Sequence, residues 1–387
     1  MIILPETERA QLRKAKRIVI KIGTHMLINK NGGPNTRRIA GFAKSIAALQ
    51  QAHHEVILVS SGAIGTGLHA LGLKRRPTHL PELQMAAAIG QTQLQVVYQK
   101  YFARHGIITS QVLLTHDDLK NRVRHLNARN TLQALLAHKI LPIINENDVV
   151  SVDEIKFGDN DILSSLVASL INADLLILLT TPNGIQENIN AKRMQRIPYI
   201  PHVSAQTFKL VQAKKNALGT GGMQTKLLAA QNAGRVGAMT VIASGATADI
   251  IQKVVHGEDV GTLIGCGSDT HHIKNKRKQW IALFHKPQGH LMINDAAVAA
   301  LLHERKSLLP IGIISVHGDF TEGTLLEIED SSGHHLARGL THYSSDDIKK
   351  ILGKKTSEIA EILGHKYYDE VIHRNNLVLM HEEEEPL

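Results

Sequence analysis

Apolar residues in the first two-thirds of the chain form short runs of strand length, and most of these runs end at glycine, serine or threonine. RIVIKI at 17–22 leads into Gly23, and EVILVS at 55–60 leads into Ser61 and Gly62. Apolar runs of this length are typical of strands buried on both faces of a sheet. Similar runs predict further strands at 107–114, 140–144, 175–180 and 239–243.

Helical patterns fill the segments between these strands, for example at 36–51. Strands that alternate with helices predict an α/β fold with a mainly parallel sheet. After Gly261 the chain becomes polar and basic, and short β-rich runs separated by turn residues follow. The sequence therefore predicts an α/β domain at 1–264, a linker at 265–275 and a small, mostly β domain at 276–387 with an acidic tail.

Composition agrees with a two-domain globular protein. The chain has 387 residues, of which 43% are hydrophobic and 20% are charged, as in ordinary soluble proteins. Cys266 is the single cysteine, so no intramolecular disulfide can form, which suits a reducing compartment. The N-terminal residues do not resemble a signal peptide, and the apolar run at 174–179 is too short to span a bilayer. We therefore expect a cytoplasmic protein.

Charge and histidine content leave the function open. The formal net charge is +9, and the positive excess lies in the predicted α/β domain, whereas the second domain is slightly acidic. A basic surface attracts anionic small molecules as well as nucleic acid, so the sign alone does not choose between them. The 23 histidines include adjacent pairs but lack the ligand spacing of zinc sites. We interpret them as surface or loop residues and predict no metal site.

Candidate chemistry lies where predicted strands end. Ligands of open parallel sheets collect at the carboxyl ends of strands, where glycine turns at 21–24, 60–63 and 181–184 either hold anionic oxygens or simply reverse the chain. Acidic and amide residues at 144–150 and 154–161 fit a charged ligand, a metal or a hydrogen-bonded loop. GTGGMQTK at 219–226 is a candidate phosphate loop, although its spacing differs from that of the P-loop.

Taken together, these motifs are specific. KIGT, VSSGAIGTG, NARNTL, INENDVV, FGDND, DLLILLT and GTGGMQTK, in this order over about 17–245, resemble the amino acid kinase family. The likeness is greatest to its members that phosphorylate the γ-carboxylate of L-glutamate, which gives L-glutamyl 5-phosphate in the first step of proline biosynthesis. From about residue 276 the chain resembles a PUA domain. The resemblance implies a three-layer αβα sandwich followed by a PUA-like domain.

The resemblance also implies roles for individual residues. The implied catalytic residues are Lys21, Asp161 and Lys226, with the two lysines on the transferred phosphoryl group and the aspartate holding them. The implied substrate-binding residues are Ser61, Gly62, Asp148, Asp159 and Asn160. The implied ATP-binding residues are Lys21, Gly23, Thr180, Thr181, Thr220, Gly221, Gly222, Met223, Gln224, Thr225 and Lys226.

Further partners follow from the same resemblance. ATP and Mg²⁺ are the implied cofactors, and L-glutamate is the implied substrate. Proline is an implied feedback inhibitor that acts near Glu154 and Lys156. A homo-oligomer and transient contact with glutamyl phosphate reductase are also implied, whereas a membrane partner is not expected.

The chain departs from the family pattern at its nucleotide side. The family usually has Thr-Asp where this chain has Thr180 and Thr181, and GIQENINAKR at 184–193 replaces a Gly-Leu-Tyr segment. Adenine or ribose contacts are therefore expected to differ. Two alternative functions stay open, an RNA-binding or regulatory protein with a weakened kinase site and a kinase of another carboxylate substrate. RNA recognition favours clustered basic and aromatic residues, which the near-neutral second domain does not predict.

Overall fold

The computed structural model describes residues 5–29, 31–73, 75–151, 160–190, 193–212, 222–266, 287–366 and 368–380. The chain divides into two compact units, Met1–His272 and Ile273–Leu387. Glu154, Lys156, Asp159, Thr220 and Gly221, which the sequence analysis names as site residues, lie outside the described residues.

The first unit is built on an eight-stranded sheet. The strands of this unit are β1 (Arg17–Ile22), β2 (Glu55–Ser60), β3 (Thr109–Leu114), β4 (Leu141–Glu146), β5 (Leu175–Thr180), β6 (Gln186–Asn190), β7 (Arg193–Arg196), β8 (Tyr199–Ile200), β9 (Met239–Ser244) and β10 (Thr262–Ile264). The sheet order is β3-β4-β2-β1-β5-β9-β10-β8, and β6 and β7 form a separate hairpin. Within the sheet, only β9 and β10 pair antiparallel. The predicted α/β fold with a mainly parallel sheet is confirmed.

Helices connect these strands. The helices of the first unit are α1 (Pro5–Gln11), α2 (Thr24–Leu27), α3 (Thr36–Gln51), α4 (Ala63–Ala70), α5 (Leu80–Ala103), α6 (His116–Lys120), α7 (Arg122–Ala137), α8 (Asp161–Ile171), α9 (Ala205–Gln212), α10 (Met223–Arg235) and α11 (Ile250–Val255). None of the helices in the described part of the chain combines the length and the apolar character needed to cross a membrane.

Alternation along β1 assigns its side chains to the two helical layers. Ile18, Ile20 and Ile22 belong to the core cluster that contains residues of α3, α5 and α11. Successive side chains of a strand point to opposite faces of the sheet, so Val19 and Lys21 face the other layer. There the Lys21 amine contacts the first residue of α8. A single lysine in an apolar strand is thus buried under a helix, at 1% exposure.

The second unit has its own sheet and core. Its strands are β11 (Gly289–Ile293), β12 (Ile313–His317), β13 (Leu325–Glu329), β14 (His335–Leu340) and β15 (Leu377–Leu379), and its helices are α12 (Asp295–Leu302), α13 (Ser345–Ile351) and α14 (Ile359–Leu363). The sheet order is β12-β11-β13-β14-β15, with β11 and β13 parallel and the other neighbours antiparallel. Leucine and isoleucine side chains from one face of this sheet pack with those of the helices. The predicted mostly β second part is confirmed.

Short elements differ most from the sequence predictions. The hairpin of β6 and β7 lies in the segment at 184–193 and beyond, to which the pattern assigned no element. The strand predicted at 107–114 begins two residues later, at Thr109. Polar side chains dominate the hairpin, so its pairing leaves no apolar periodicity in the sequence. The apolar run at 280–284 and the linker from residue 267 onward lie outside the described residues.

Two glycines let α4 and α5 approach until their backbones touch. A Cβ atom added at Gly90 would lie 1.8 Å from the carbonyl oxygen of Ala63, and one added at Gly67 would lie 1.8 Å from that of Ala86. Because no side chain fits at these distances, the crossing requires glycine on both helices. The crossing matters for the site because α4 begins directly after Gly62.

We predict that Gly90→Ala destabilises the first unit, because a methyl group must push the two helix backbones apart. The expected loss in unfolding free energy is about 1–3 kcal/mol or more, the usual cost of overpacking. Gly41→Ala in α3 is the matched control, since an added Cβ there meets no atom within 4 Å. The control is expected to gain about 0.5–1 kcal/mol from helix propensity. Urea unfolding followed by circular dichroism measures both, and equal behaviour of the two variants would contradict the packing argument.

Candidate active site

Two lysines from distant parts of the sequence meet one aspartate inside the first unit. The Nζ atom of Lys21 lies 2.7 Å from Oδ1 of Asp161, and Nζ of Lys226 lies 2.9 Å from Oδ2. All three residues are buried, with exposures of 1%, 0% and 5% for Lys21, Asp161 and Lys226. The carboxylate therefore bridges two ammonium groups and fixes the distance between them.

Two ammonium groups face the same carboxylate in this cluster. Burial makes charge costly unless it is paired, which the Asp161 carboxylate does for both lysines. Two ammonium groups held this close together also suit an anion such as a phosphate. The three residues, each predicted as catalytic from the resemblance, are thus brought together in a form that suits a phosphoryl group.

Helix termini place two members of the cluster. Asp161 is the first residue of α8, where the N-terminal end of the helix favours a negative charge. Lys226 lies in the first turn of α10, which begins after Gly222. The hydroxyl of Thr225 lies 2.9 Å from Oδ2 of Asp161 and 2.8 Å from the carbonyl oxygen of Gly222. This hydroxyl ties the start of α10 to the carboxylate. Gly222 provides no side-chain cap, and the backbone N–H groups at the start of a helix are a common binding place for an anion.

A second polar group surrounds Asn160, the residue before Asp161. Its Nδ2 atom lies 2.9 Å from the carbonyl oxygen of Ser60, 3.1 Å from Oγ of Ser61 and 2.7 Å from Oδ1 of Asn145. Asn160, Ser61 and Asn145 are all nearly inaccessible to solvent. The structure therefore joins the predicted substrate residues Ser61 and Asn160 in one hydrogen-bonded group.

This group extends beyond the residues that the sequence analysis named. Asn145 donates to Oε1 of Gln91 at 2.9 Å, and Oγ of Ser60 lies 2.8 Å from the hydroxyl of Tyr98. Burial raises the pKa of the Tyr98 hydroxyl well above its ordinary value, so Tyr98 stays neutral and can donate. Asn145 follows the apolar residues of β4 and lies in the motif INENDVV, so its position in that motif could have indicated a role in the site. No local pattern pointed to Gln91 or Tyr98, because their role depends on the packing of α5.

Gly62 gives the turn after β2 its conformation. Its φ angle is +100°, in the left-handed region, and it is the residue directly before α4. A Cβ atom there would lie 3.2 Å from Cδ1 of Ile28. Backbone conformation and space both favour glycine at this position, and the turn brings Ser61 to Asn160.

Asp148 follows β4 and is buried, with 4% exposure. It comes two residues after Glu146, whose Oε1 atom accepts a hydrogen bond from Oγ of Ser151 at 2.5 Å. Because β4, β2 and β1 are adjacent and parallel, Asp148, Ser61 and Gly23 follow strands that end at the same edge of the sheet. A buried carboxylate at this edge suits a cationic group of a ligand.

The end of β5 carries the residues that depart from the family pattern. Thr180 is half-buried and Thr181 is exposed. The hydroxyl of Ser244 donates to the carbonyl oxygen of Thr181 at 3.0 Å, and the amide of Gly245 donates to that of Thr180 at 2.9 Å. The ends of β5 and β9 are thereby joined, and the Thr181 side chain is left at the surface.

We predict that Asp161→Asn destabilises the first unit, because the substitution removes the carboxylate that faces two buried ammonium groups. Removing one partner of a buried ion pair typically costs about 3–5 kcal/mol. Asp249→Asn is the matched control, since Asp249 is exposed and has a left-handed conformation that asparagine tolerates. Chemical unfolding is expected to give a difference in unfolding free energy between the two variants that is several times larger than the usual effect of a surface substitution, about 0.5 kcal/mol. Similar stabilities would show that Asp161 is not the charge on which the lysines depend.

Comparison with known proteins identifies the family of this chain. The sequence profile described as the amino acid kinase family matches residues 16–244, and that of the PUA domain matches residues 289–363. A protein of Saccharophagus degradans named Glutamate 5-kinase is 44% identical over 97% of this chain and 100% of its own length. Proteins of the same name from Moorella thermoacetica and a Marinomonas species are 42% and 45% identical, each over 96% of this chain and over 98% and 99% of their own lengths. This chain belongs to the amino acid kinase family, within the group of glutamate 5-kinases that carry a PUA domain.

Proposed function

We propose that this chain is an ATP-dependent kinase that phosphorylates the γ-carboxylate of L-glutamate to L-glutamyl 5-phosphate, in the first step of proline biosynthesis. The observation that carries the proposal is the buried carboxylate of Asp161 between the amines of Lys21 and Lys226. The names of the relatives supply the substrate, and the site supplies the chemistry.

In the proposed reaction an oxygen of the glutamate γ-carboxylate attacks the γ-phosphorus of ATP. One P–O bond forms while the P–O bond to the β-phosphate breaks, and ADP leaves. The carboxylate is already ionised at neutral pH, so no general base has to remove a proton. Repulsion between two anions is the main obstacle, and catalysis of this kind depends on alignment and charge neutralisation.

The lysines meet that requirement. Lys21 and Lys226 would bind the oxygens of the transferring phosphoryl group from two sides, where their charge stabilises the transition state. Asp161 would hold both amines in place without touching the phosphoryl group, and it is a positioning residue in this sense. The two ammonium groups would offset the negative charge of the transferring phosphoryl group.

The nucleotide side of the site is proposed from the start of α10. Gly222, Met223, Gln224 and Thr225 lie at the N-terminal end of this helix, together with Thr220 and Gly221 of the preceding segment. Backbone N–H groups at such an end bind phosphate oxygens well. Gly23 would contribute its backbone after β1, and Thr180 and Thr181 would lie on the side of the ribose or base.

The acceptor side is proposed from the group around Asn160. Ser61 and Gly62 would bind a carboxylate group of glutamate, and the buried carboxylate of Asp148 would pair with its α-ammonium group. Asn160 would take part in substrate binding by holding Ser61, because its Nδ2 atom faces Oγ of Ser61, and Asp159 would support this arrangement. A hydroxyl donates to a carboxylate, whereas a carboxylate accepts from an ammonium group, so Ser61 and Asp148 match the two ends of an amino acid.

Mg²⁺ would bind to the phosphate oxygens of ATP rather than to a protein cage. The described residues around the lysines do not fit a direct metal site, because both oxygens of Asp161 already face ammonium groups. Magnesium commonly keeps phosphate and water ligands in kinases.

The family of this chain suggests further features of the proposed enzyme. We propose a kinase domain at 1–264, a linker at 265–275 and a PUA-like domain at 276–387, in a cytoplasmic homo-oligomer. Proline would inhibit through the segment that contains Glu154 and Lys156. The product is a reactive acyl phosphate, so transient contact with glutamyl phosphate reductase would protect it.

We predict that Lys226→Ala abolishes most of the glutamate-dependent activity. The purified chain is assayed with ATP, Mg²⁺ and L-glutamate, and hydroxylamine traps the acyl phosphate as a hydroxamate. Loss of a group that stabilises the transition state typically lowers kcat by about 10²–10³-fold. Lys44→Ala on the exposed face of α3 is the matched control and is expected to keep normal activity. Hydroxamate formation with L-aspartate in place of L-glutamate would identify another carboxylate kinase, and none with either acceptor would refute the proposal.

We predict that Asp148→Asn raises KM for L-glutamate while KM for ATP stays nearly constant. Loss of a charged hydrogen bond costs about 1.5–3 kcal/mol, which corresponds to roughly a 10- to 150-fold weaker interaction. Initial rates measured while each substrate is varied separate the two constants. Asp249→Asn serves again as the surface control. An equal rise in both KM values would indicate general damage to the site rather than loss of the ammonium partner.

A further inference from the structure

Pairing in the second unit places histidine and glutamate side chains together on one face of its sheet. His290 of β11 is the register partner of Glu327 in β13, and Glu329 lies two residues further along β13. Residues two apart in a strand share a face. The intervening Ile328 is fully buried in the core, so Glu327 and Glu329 point to the opposite face. Nothing in the kinase chemistry uses this group.

The distances within the group resemble those of a metal site. One ligand atom from each of His290, Glu327 and Glu329 can be chosen so that all three lie within 4.8 Å of one another. Nδ1 of His290 forms a hydrogen bond of 2.8 Å with Oε1 of Glu329, which a bound cation would replace, and it lies 4.0 Å from Oε2 of Glu327. Neighbouring ligands of a tetrahedral zinc ion, with bonds of about 2.0–2.1 Å, lie roughly 3.3 Å apart. The observed separations lie on either side of that value.

β14 adds a fourth candidate ligand. Nδ1 of His335 lies 3.4 Å from Oε1 of Glu327 and 3.3 Å from Oε1 of Glu329. This nitrogen is buried and has no hydrogen-bond partner within the described part of the chain. A buried nitrogen that faces two carboxylates without a hydrogen bond is costly, and a shared cation would satisfy it together with both acids.

Arg338 limits the site on one side but does not block it. Its Nε and Nη2 atoms donate to Oε1 of Glu327 at 3.3 and 3.2 Å. The other oxygen of Glu327, Oε2, is the one that faces His290. Arg338 therefore orients the carboxylate through Oε1, the oxygen that also faces His335, as residues behind metal ligands commonly do. A cation between the two histidines would bind Glu327 from its Oε2 side.

We propose that His290, Glu327, Glu329 and His335 form a binding site for a divalent transition-metal ion of the zinc class. Two imidazole nitrogens and two carboxylate oxygens suit Zn²⁺, whereas Mg²⁺ and Ca²⁺ prefer oxygen ligands alone. The ion joins β11, β13 and β14. Its role is structural, and it takes no part in the phosphoryl transfer proposed for the first unit. Adjacent histidines at 334 and 335 gave no such signal in the sequence, because strand pairing supplies the other ligands.

The test uses the full chain, freed of metal by chelation and then dialysed against Zn²⁺. The wild-type chain is expected to retain one more zinc ion than Glu329→Gln, measured by mass spectrometry of the metal. Co²⁺ as a second probe is expected to give ligand-field absorption bands in the wild type that the variant lacks. Zn²⁺ should also raise the thermal midpoint of the wild-type second unit, because an ion that binds only the folded state stabilises it.

His334→Gln is the matched control, since His334 is exposed and contacts Asp330 instead of the cluster. It is expected to bind zinc as the wild type does. His290→Gln is a second ligand variant in case Glu329→Gln fails to fold, which circular dichroism reveals. Equal zinc content in the wild type and the ligand variants would overturn the proposal, and the cluster would then be a set of ion pairs. Kinase activity does not enter this test, so its outcome is independent of the proposed function.

Discussion

The carboxylate of Asp161 is the interaction on which the first unit depends most. It compensates two buried ammonium groups that come from opposite ends of the unit's sequence, one in β1 and one in α10. An unpaired charge in this position would be strongly unfavourable, so β1, α8 and α10 must pack in one arrangement to satisfy it. The same requirement that stabilises the fold also fixes the spacing of the groups that would bind the phosphoryl oxygens.

Parallel pairing explains why the rest of the site gathers at one edge. β4, β2, β1, β5 and β9 run in the same direction, so the residues that follow them collect at their carboxyl ends. The connection from β2 to α4 has a left-handed backbone conformation at Gly62, with a φ of +100°. Close packing of α4 on α5 through Gly67 and Gly90 keeps the turn in place. Small residues that make no side-chain hydrogen bond thus position the polar groups.

The sequence predicts the helices and strands whose apolar residues form a clear pattern. It misses those that depend on pairing with another strand. The strand at 17–22 and the helix at 36–51 agree with the structure residue for residue, because the strand is buried along nearly all its length and the helix has a buried face with helical spacing. The hairpin of β6 and β7 carries polar residues and left no such pattern. The lysines and Asp161 could be named only through the resemblance, since spacing does not reveal that residues 21, 161 and 226 meet. Gln91 and Tyr98 escaped because contacts of α5 bring them to the site.

Asn160 and Asp161 are consecutive, yet they serve two different groups of residues. Asn160 binds Ser61 and Asn145 on the proposed acceptor side, whereas Asp161 binds the two lysines on the phosphoryl side. The start of α8 therefore sets the distance between the two proposed substrates by covalent geometry alone. A one-residue shift that moved Asn160 into the place of Asp161 would put a neutral amide between the two lysines. The opposite shift would put the Asp161 carboxylate beside Ser61 and Asn145, and Ile162 between the lysines. The relative placement of the two proposed substrate sites consequently depends on the start of α8.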